Sequence, residues 1–221
     1  YPIYPKKETS GRSEEYIGDW IKKKKNRDKI VIASKIASGH PVGVGATGLA
    51  WIRNGKKHLR FDKKNINKAV DESLKRLKTD YIDILYFHID DEETPLDESL
   101  VVISEMIAAG KLRYWGVSNF RGWRIALAVG IAEAAGTPLP AVCQPYYNAM
   151  NRMPEQEVLP ACEYFGLGVV PYSPLARGVL TGKYGTSLKV RGKGTRASVD
   201  DPRLLETEWR KENLEMAHII K

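Results

Sequence analysis

Lys35, His88, Ser118 with Asn119, Gln144, and Tyr172 with Ser173 each stand at the C-terminal end of a short apolar run. Together they offer an ammonium, an imidazole, a phenol, hydroxyls and carboxamides. The first three types exchange protons, and the others hydrogen-bond and orient polar ligands. His88 poses the question most sharply. It follows Ile82, Ile84, Leu85, Tyr86 and Phe87 in "TDYIDILYFHID" (79–90), which reads as a strand buried on both faces. A lone histidine there is ordinarily a packed residue satisfied by a backbone carbonyl. One polar strand end means nothing; five of five form a pattern that favours a site.

The elements that position these residues alternate regularly. Ser13 is placed to cap a first helix carrying Ile17, Trp20 and Ile21, and "KIVIASK" (29–35) reads as a strand. Asp62 is placed to cap a helix over 63–77, where Ile66, Val70, Leu74 and Leu77 recur at helical spacing. A strand at 81–87 follows. Thr94, as N-cap, and Pro95 open a helix that Gly110 closes. Then come a strand at 113–117, a helix at 122–134, a strand at 141–144, a helix at 155–165 and a strand at 168–171. A last helix starts near Pro202 or Glu206. After the first, the strand ends lie about 30 residues apart, the length of a βαβ unit, which predicts a parallel α/β sheet. Open doubly wound sheets and (β/α)₈ barrels share that rhythm. Polar residues gathered at strand C-termini suit the catalytic face of a barrel. The first interval is longer because residues 38–59 read as an inserted loop on that face.

Composition narrows the classes. The chain is 43% hydrophobic and 28% charged, an ordinary globular balance read here as one domain over 1–221. No apolar run approaches the roughly 20 residues that span a bilayer, so no membrane insertion is expected. Cys143 and Cys162 are the only cysteines and lack metal-ligand spacing, which speaks against a zinc site or a disulfide framework and for a reducing, cytoplasmic compartment. Part of the net charge of +8 comes from "KKKKNR" (22–27). Without interleaved aromatic residues or a nucleic-acid motif it reads as the solvated end of a helix, with no nucleic-acid partner implied.

Three local patterns do not carry chemistry. "GVGATG" (43–48) matches GxGxxG but does not join a strand to a helix. "GVLTGK" (178–183) is one residue short of a P-loop. The acidic residues 90–93 lack the spaced partners of a metal site and read as a solvated loop.

Four segments in order, "DESLKRLKTDYIDILYFH" (71–88), "AGKLRYWGVSNF" (109–120), "CQPYYNAMNR" (143–152) and "VVPYSPLARGVLTGKY" (169–184), resemble the aldo-keto reductases. The last is similar to the branch containing broad-range bacterial reductases and potassium-channel β-subunits. The resemblance implies a (β/α)₈ barrel that binds NADP(H), with NAD(H) not excluded, and reduces small carbonyl compounds. It implies a Tyr general acid assisted by Lys and His. Lys35 and His88 match the last two, and the tyrosine falls at Tyr1, with Tyr4 as the alternative. A nearby ammonium favours the phenolate and lowers a tyrosine pKa from its ordinary value near 10, while the histidine orients the carbonyl. By the same resemblance Ser118, Asn119 and Gln144 hold the nicotinamide carboxamide and Tyr172 stacks on its ring. Ser173, Pro174, Leu175 and Arg177 lie along the pyrophosphate, with Lys183 adding charge.

The family aspartate that pairs with the lysine, the first two strands and the last strand are expected to lie outside this chain. The pair after the histidine, often Trp-Pro in relatives, is Ile89-Asp90 here. A regulatory, redox-sensing subunit of the channel β type is the alternative reading, and a homo-oligomer is compatible with either.

Overall fold

The structure, a computed structural model, describes residues 11–36, 60–91 and 94–220. The described chain separates into two compact units. One holds the residues up to Gln144 together with Glu157–Val170, and the other holds Pro145–Gln156 and the residues from Pro171 on.

The first unit is built on a five-stranded parallel sheet of β1 (Ala33–Ile36), β2 (Ile82–Phe87), β3 (Leu112–Ser118), β4 (Val142–Gln144) and β5 (Gly168–Val169). The strands lie in sequence order, so the winding never reverses among them, unlike a doubly wound sheet with its switch point. The register sets Lys35 beside Tyr86 and Tyr86 beside Gly116; further along, Ser118 lies beside Gln144. Helices α1 (Arg12–Lys24), α2 (Lys63–Leu77), α3 (Leu96–Ala108), α4 (Gly122–Ala135) and α5 (Val158–Tyr164) complete the unit.

The apolar spacing read from the sequence is the spacing that packs. α2 buries Ile66, Ala69, Val70, Ser73 and Leu77, and Asp62 caps it by accepting from the Asn65 N–H. In β2, Ile82, Leu85, Tyr86 and Phe87 are buried. Each such aliphatic or aromatic side chain contributes about 1.5–3 kcal/mol when fully buried. At the N-terminal end of the sheet, Asp83 accepts from the Ile32 N–H and pairs with Arg27 at 2.7 Å and Arg113 at 3.0 Å. Both guanidinium groups lie against the Tyr81 ring, 3.7 and 4.1 Å from its centroid. Arg27 is therefore built into this cluster, whereas Lys22–Lys25 remain exposed as the charge run implied.

The helix starts differ in detail from the sequence expectation. α1 is preceded by Gly11 at φ 86°, which leaves Ser13 in the first turn. α3 begins after Pro95, because the Thr94 hydroxyl donates to the buried Asp91 carboxylate at 2.6 Å. In the second unit the single helix expected from Pro202 or Glu206 is two, α6 (Pro202–Thr207) and α7 (Lys211–Ile220). They enclose a small core that includes Val179, Tyr184, Leu204, Trp209 and Leu214. Among the described residues no helix is long and apolar enough to cross a membrane. The proposed inserted loop at 38–59 falls outside the described residues.

Candidate active site

The first unit sets one row of candidate groups along the C-terminal edge of its sheet. Lys35 stands one residue before the end of β1. Its ammonium lies 5.1 Å from the centroid of the Tyr86 ring on the neighbouring strand. Burial pushes the Lys35 pKa below its ordinary value, since removing water penalises the charged form. Burial, and then the electrostatic influence of Cys143, push the Tyr86 phenol up. His88 directly follows β2, and its N–H donates to the Ile36 carbonyl at 2.8 Å. Ser118 ends β3 and donates to the Gln144 carbonyl at 2.8 Å. Asn119, at φ 58°, extends its amide to the His88 carbonyl at 2.8 Å and to the Ser118 hydroxyl at 3.1 Å. Asparagine is one of the few residues at ease in that left-handed conformation.

The second unit holds the remaining candidates. Tyr172 stacks on Tyr146, with ring centroids 5.1 Å apart and planes 19° from parallel. Burial again pushes its phenol up. Ser173, Ala176 and Arg177 all have positive φ, and Gly178 follows at φ 97°. Such strain in non-glycine residues gathers where ligands are clamped. Arg177 donates from Nε to Thr207 at 3.0 Å. Its pKa is lowered first by burial and next by the like charge of Arg203, with Arg196 adding to the effect. Lys183 is folded back so closely that a Cβ at Gly178 would lie 3.0 Å from its ammonium. Pro174 and Leu175 are exposed beside this cationic turn.

Lys35, His88, Ser118, Asn119 and Gln144 thus lie along one sheet edge, while Tyr172, Ser173, Pro174, Leu175, Arg177 and Lys183 belong to one loop of the other unit. Tyr1 and Tyr4 lie outside the described residues, as does the glycine-rich segment at 43–48. Sequence reasoning missed Arg196 and Arg203. Arg196 precedes the last expected helix and Arg203 lies at its start, and only their charge marked them. It also gave no role to Tyr146, whose hydroxyl is buried without a hydrogen-bond partner among the described residues. In the acidic loop, Asp91 is buried and bonded rather than solvated. No group of three or more potential metal ligands occurs among the described residues.

The second-unit loop suits an anionic, ring-bearing cofactor. Cations and left-handed backbone favour phosphate, and the Tyr146–Tyr172 stack provides an aromatic platform.

These features define an α/β protein whose proton-exchanging and amide side chains collect where parallel strands end. The aldo/keto reductase family profile matches residues 2–220, and the chain belongs to that family. Among its relatives, protein tas of Escherichia coli is 32% identical over 213 residues, covering 87% of this chain and 58% of its own length. Norsolorinic acid reductase B of Aspergillus parasiticus is 33% identical over 177 residues, covering 76% of this chain and 43% of its own. A probable voltage-gated potassium channel subunit beta of Arabidopsis thaliana is 38% identical over 177 residues, covering 79% of this chain and 50% of its own. The chain spans less than two thirds of the length of each of these relatives.

Proposed function

We propose that the protein is a carbonyl reductase of the (β/α)₈ class that uses NADPH and acts on small aldehydes or ketones. The observation that carries this reading is the row Lys35, His88, Ser118, Asn119 and Gln144 at successive strand ends, in a chain of the aldo/keto reductase family. A bound nicotinamide supplies hydride. Ser118, Asn119 and Gln144 would hold its carboxamide, Tyr172 would offer it a ring face, and Arg177, Lys183, Arg196 and Arg203 would neutralise the phosphates of the dinucleotide. His88 orients the carbonyl oxygen. Tyr1, or Tyr4, delivers the proton to the developing alkoxide, and the Lys35 ammonium favours the phenolate left behind. The buried, unbridged Cys143 and Cys162 accord with a reducing, cytoplasmic setting.

The test is a fluorescence titration with NADPH and then NADH, followed by NADPH absorbance in the presence of a panel of aldehydes and ketones. Saturable binding with aldehyde-dependent oxidation is expected. No binding of either cofactor overturns the proposal. Binding without turnover favours a regulatory subunit, a reading supported by similarity to the probable channel subunit beta.

A further inference from the structure

We infer that Arg124 is a positioning residue that acts through the Asp90–Asp91 turn to hold His88 in place; this rests on the carbonyl-orienting role proposed for His88. Arg124 lies in the first turn of α4, where the helix dipole disfavours a cation. Its guanidinium is nevertheless turned inward. Nε donates to Asp90 Oδ1 at 2.9 Å and Nη2 donates to the Asp91 carbonyl at 3.2 Å. The side chains of Arg124 and Asp90 are only 11% and 14% exposed. A buried ion pair is a poor source of net stability, since desolvation offsets most of the attraction. What this pair supplies is geometry, because one rigid fork fixes two successive residues.

The turn is fastened from its other side as well. Asp91 accepts from the Phe61 N–H at 2.7 Å, the Thr94 N–H at 3.2 Å and the Thr94 hydroxyl at 2.6 Å. His88 is fastened at both backbone groups, its N–H to Ile36 and its carbonyl to the Asn119 amide. Arg124 therefore completes the immobilisation of the four residues that begin with His88, and it does so from the helix that leaves β3 just beyond Asn119. The loop after β2 and the loop after β3 then keep a fixed spacing.

The experiment compares Arg124→Met, Arg124→Lys and Asp90→Asn, each alone and combined with His88→Gln, with NADPH and an aldehyde. In parallel, ¹³C-histidine NMR of the cofactor-free protein follows the imidazole of His88, assigned by its loss in His88→Gln. The single variants are expected to lower kcat about tenfold, as displaced catalytic groups do, with KM for NADPH nearly unchanged. The loss should vanish in the His88→Gln background, the mark of coupled residues. Arg124→Lys should recover only part of it, since a lysine keeps the charge without the fork. The His88 signal should move while that of His218 stays. Losses that add fully in the double variants, or an unmoved His88 signal in a folded Arg124→Met, overturn the inference. Should Arg124→Met fail to fold, Asp90→Asn, which keeps size and an acceptor, carries both readouts. If His88→Gln turns over like the parent protein, the proposed role of His88 falls, and the NMR arm alone decides the positioning.

Discussion

The side-chain amide of Asn119 donates to the main-chain carbonyl of His88 at 2.8 Å, which ties the end of β3 to the end of β2. The same side chain is the one proposed to meet the nicotinamide carboxamide. Cofactor and carbonyl-orienting histidine would then share one hinge of hydrogen bonds, and loss of this amide should affect both. Asn119→Gly keeps the left-handed φ available and removes only the amide, whereas Asn119→Ala adds about 1–2 kcal/mol of backbone strain. Asn119→Gly is expected to weaken NADPH binding and also to lower kcat, and Asn119→Ala should in addition lower the melting temperature. Weakened binding with kcat unchanged would disconnect the amide from His88.

Lys35 is held at a cost. Its folded pKa lies below the ordinary value of 10.5, so between the two values the unfolded chain binds more protons and stability rises with pH. Below that window the desolvated ammonium imposes its whole penalty, offset only in part by the Tyr86 ring beneath it. Lys35→Met is therefore expected to melt higher than the parent at neutral pH, with the difference narrowing as pH climbs towards 10.5, and to lose carbonyl reduction. Differential scanning at several pH values checks the first part. A lower melting temperature at neutral pH would show that the ammonium is stabilised, not tolerated.

The row of polar strand ends was legible because the sheet is parallel and strands such as β2 are largely buried. Such strands read as continuous apolar runs, and their polar last residues stand out. Asp62, ahead of apolar residues at helical spacing, likewise declared its helix, since capping is a local interaction. What stayed hidden depends on residues distant in sequence. Arg27 belongs to a run of cations, and Thr79, Tyr81 and Asp83, more than 50 positions away, help draw it out of solvent. Thr94 has the chemistry of a cap, but Asp91 captures its hydroxyl. Arg203 lies on the short helix α6, and its charge acts on Arg177, 26 positions earlier, a pairing that no local pattern announces.

Gly116 marks where the sheet admits no side chain. A Cβ there would sit 2.4 Å from the Val142 carbonyl and 2.6 Å from the Val142 side chain on the paired strand. Neither neighbour is the free end of a flexible chain. Gly116→Ala must push β3 and β4 apart, a cost of about 1–3 kcal/mol for overpacking. The urea midpoint is expected to fall without a change in slope. An unchanged midpoint would mean that the two strands separate freely, and with them the ends that carry Ser118 and Gln144.

Glu208 offers a test of the second unit that is independent of any cofactor. The residue is 3% exposed, its Oε1 has no hydrogen-bond partner among the described residues, and Asn213 reaches Oε2 at 3.3 Å. Burial raises its pKa above the ordinary 4.5, with the Arg210 charge opposing the shift. In the window above 4.5 the folded protein holds more protons than the unfolded chain, so stability falls as pH rises through that window and the cost is complete beyond it. Glu208→Gln, which keeps the shape and removes the charge, is expected to raise the melting temperature near neutral pH by about 2 °C or more. The gain should disappear as the pH approaches 4.5, where the parent carboxyl is neutral in the folded state. A gain of equal size at both pH values would assign the effect to the added amide donor and not to the buried charge.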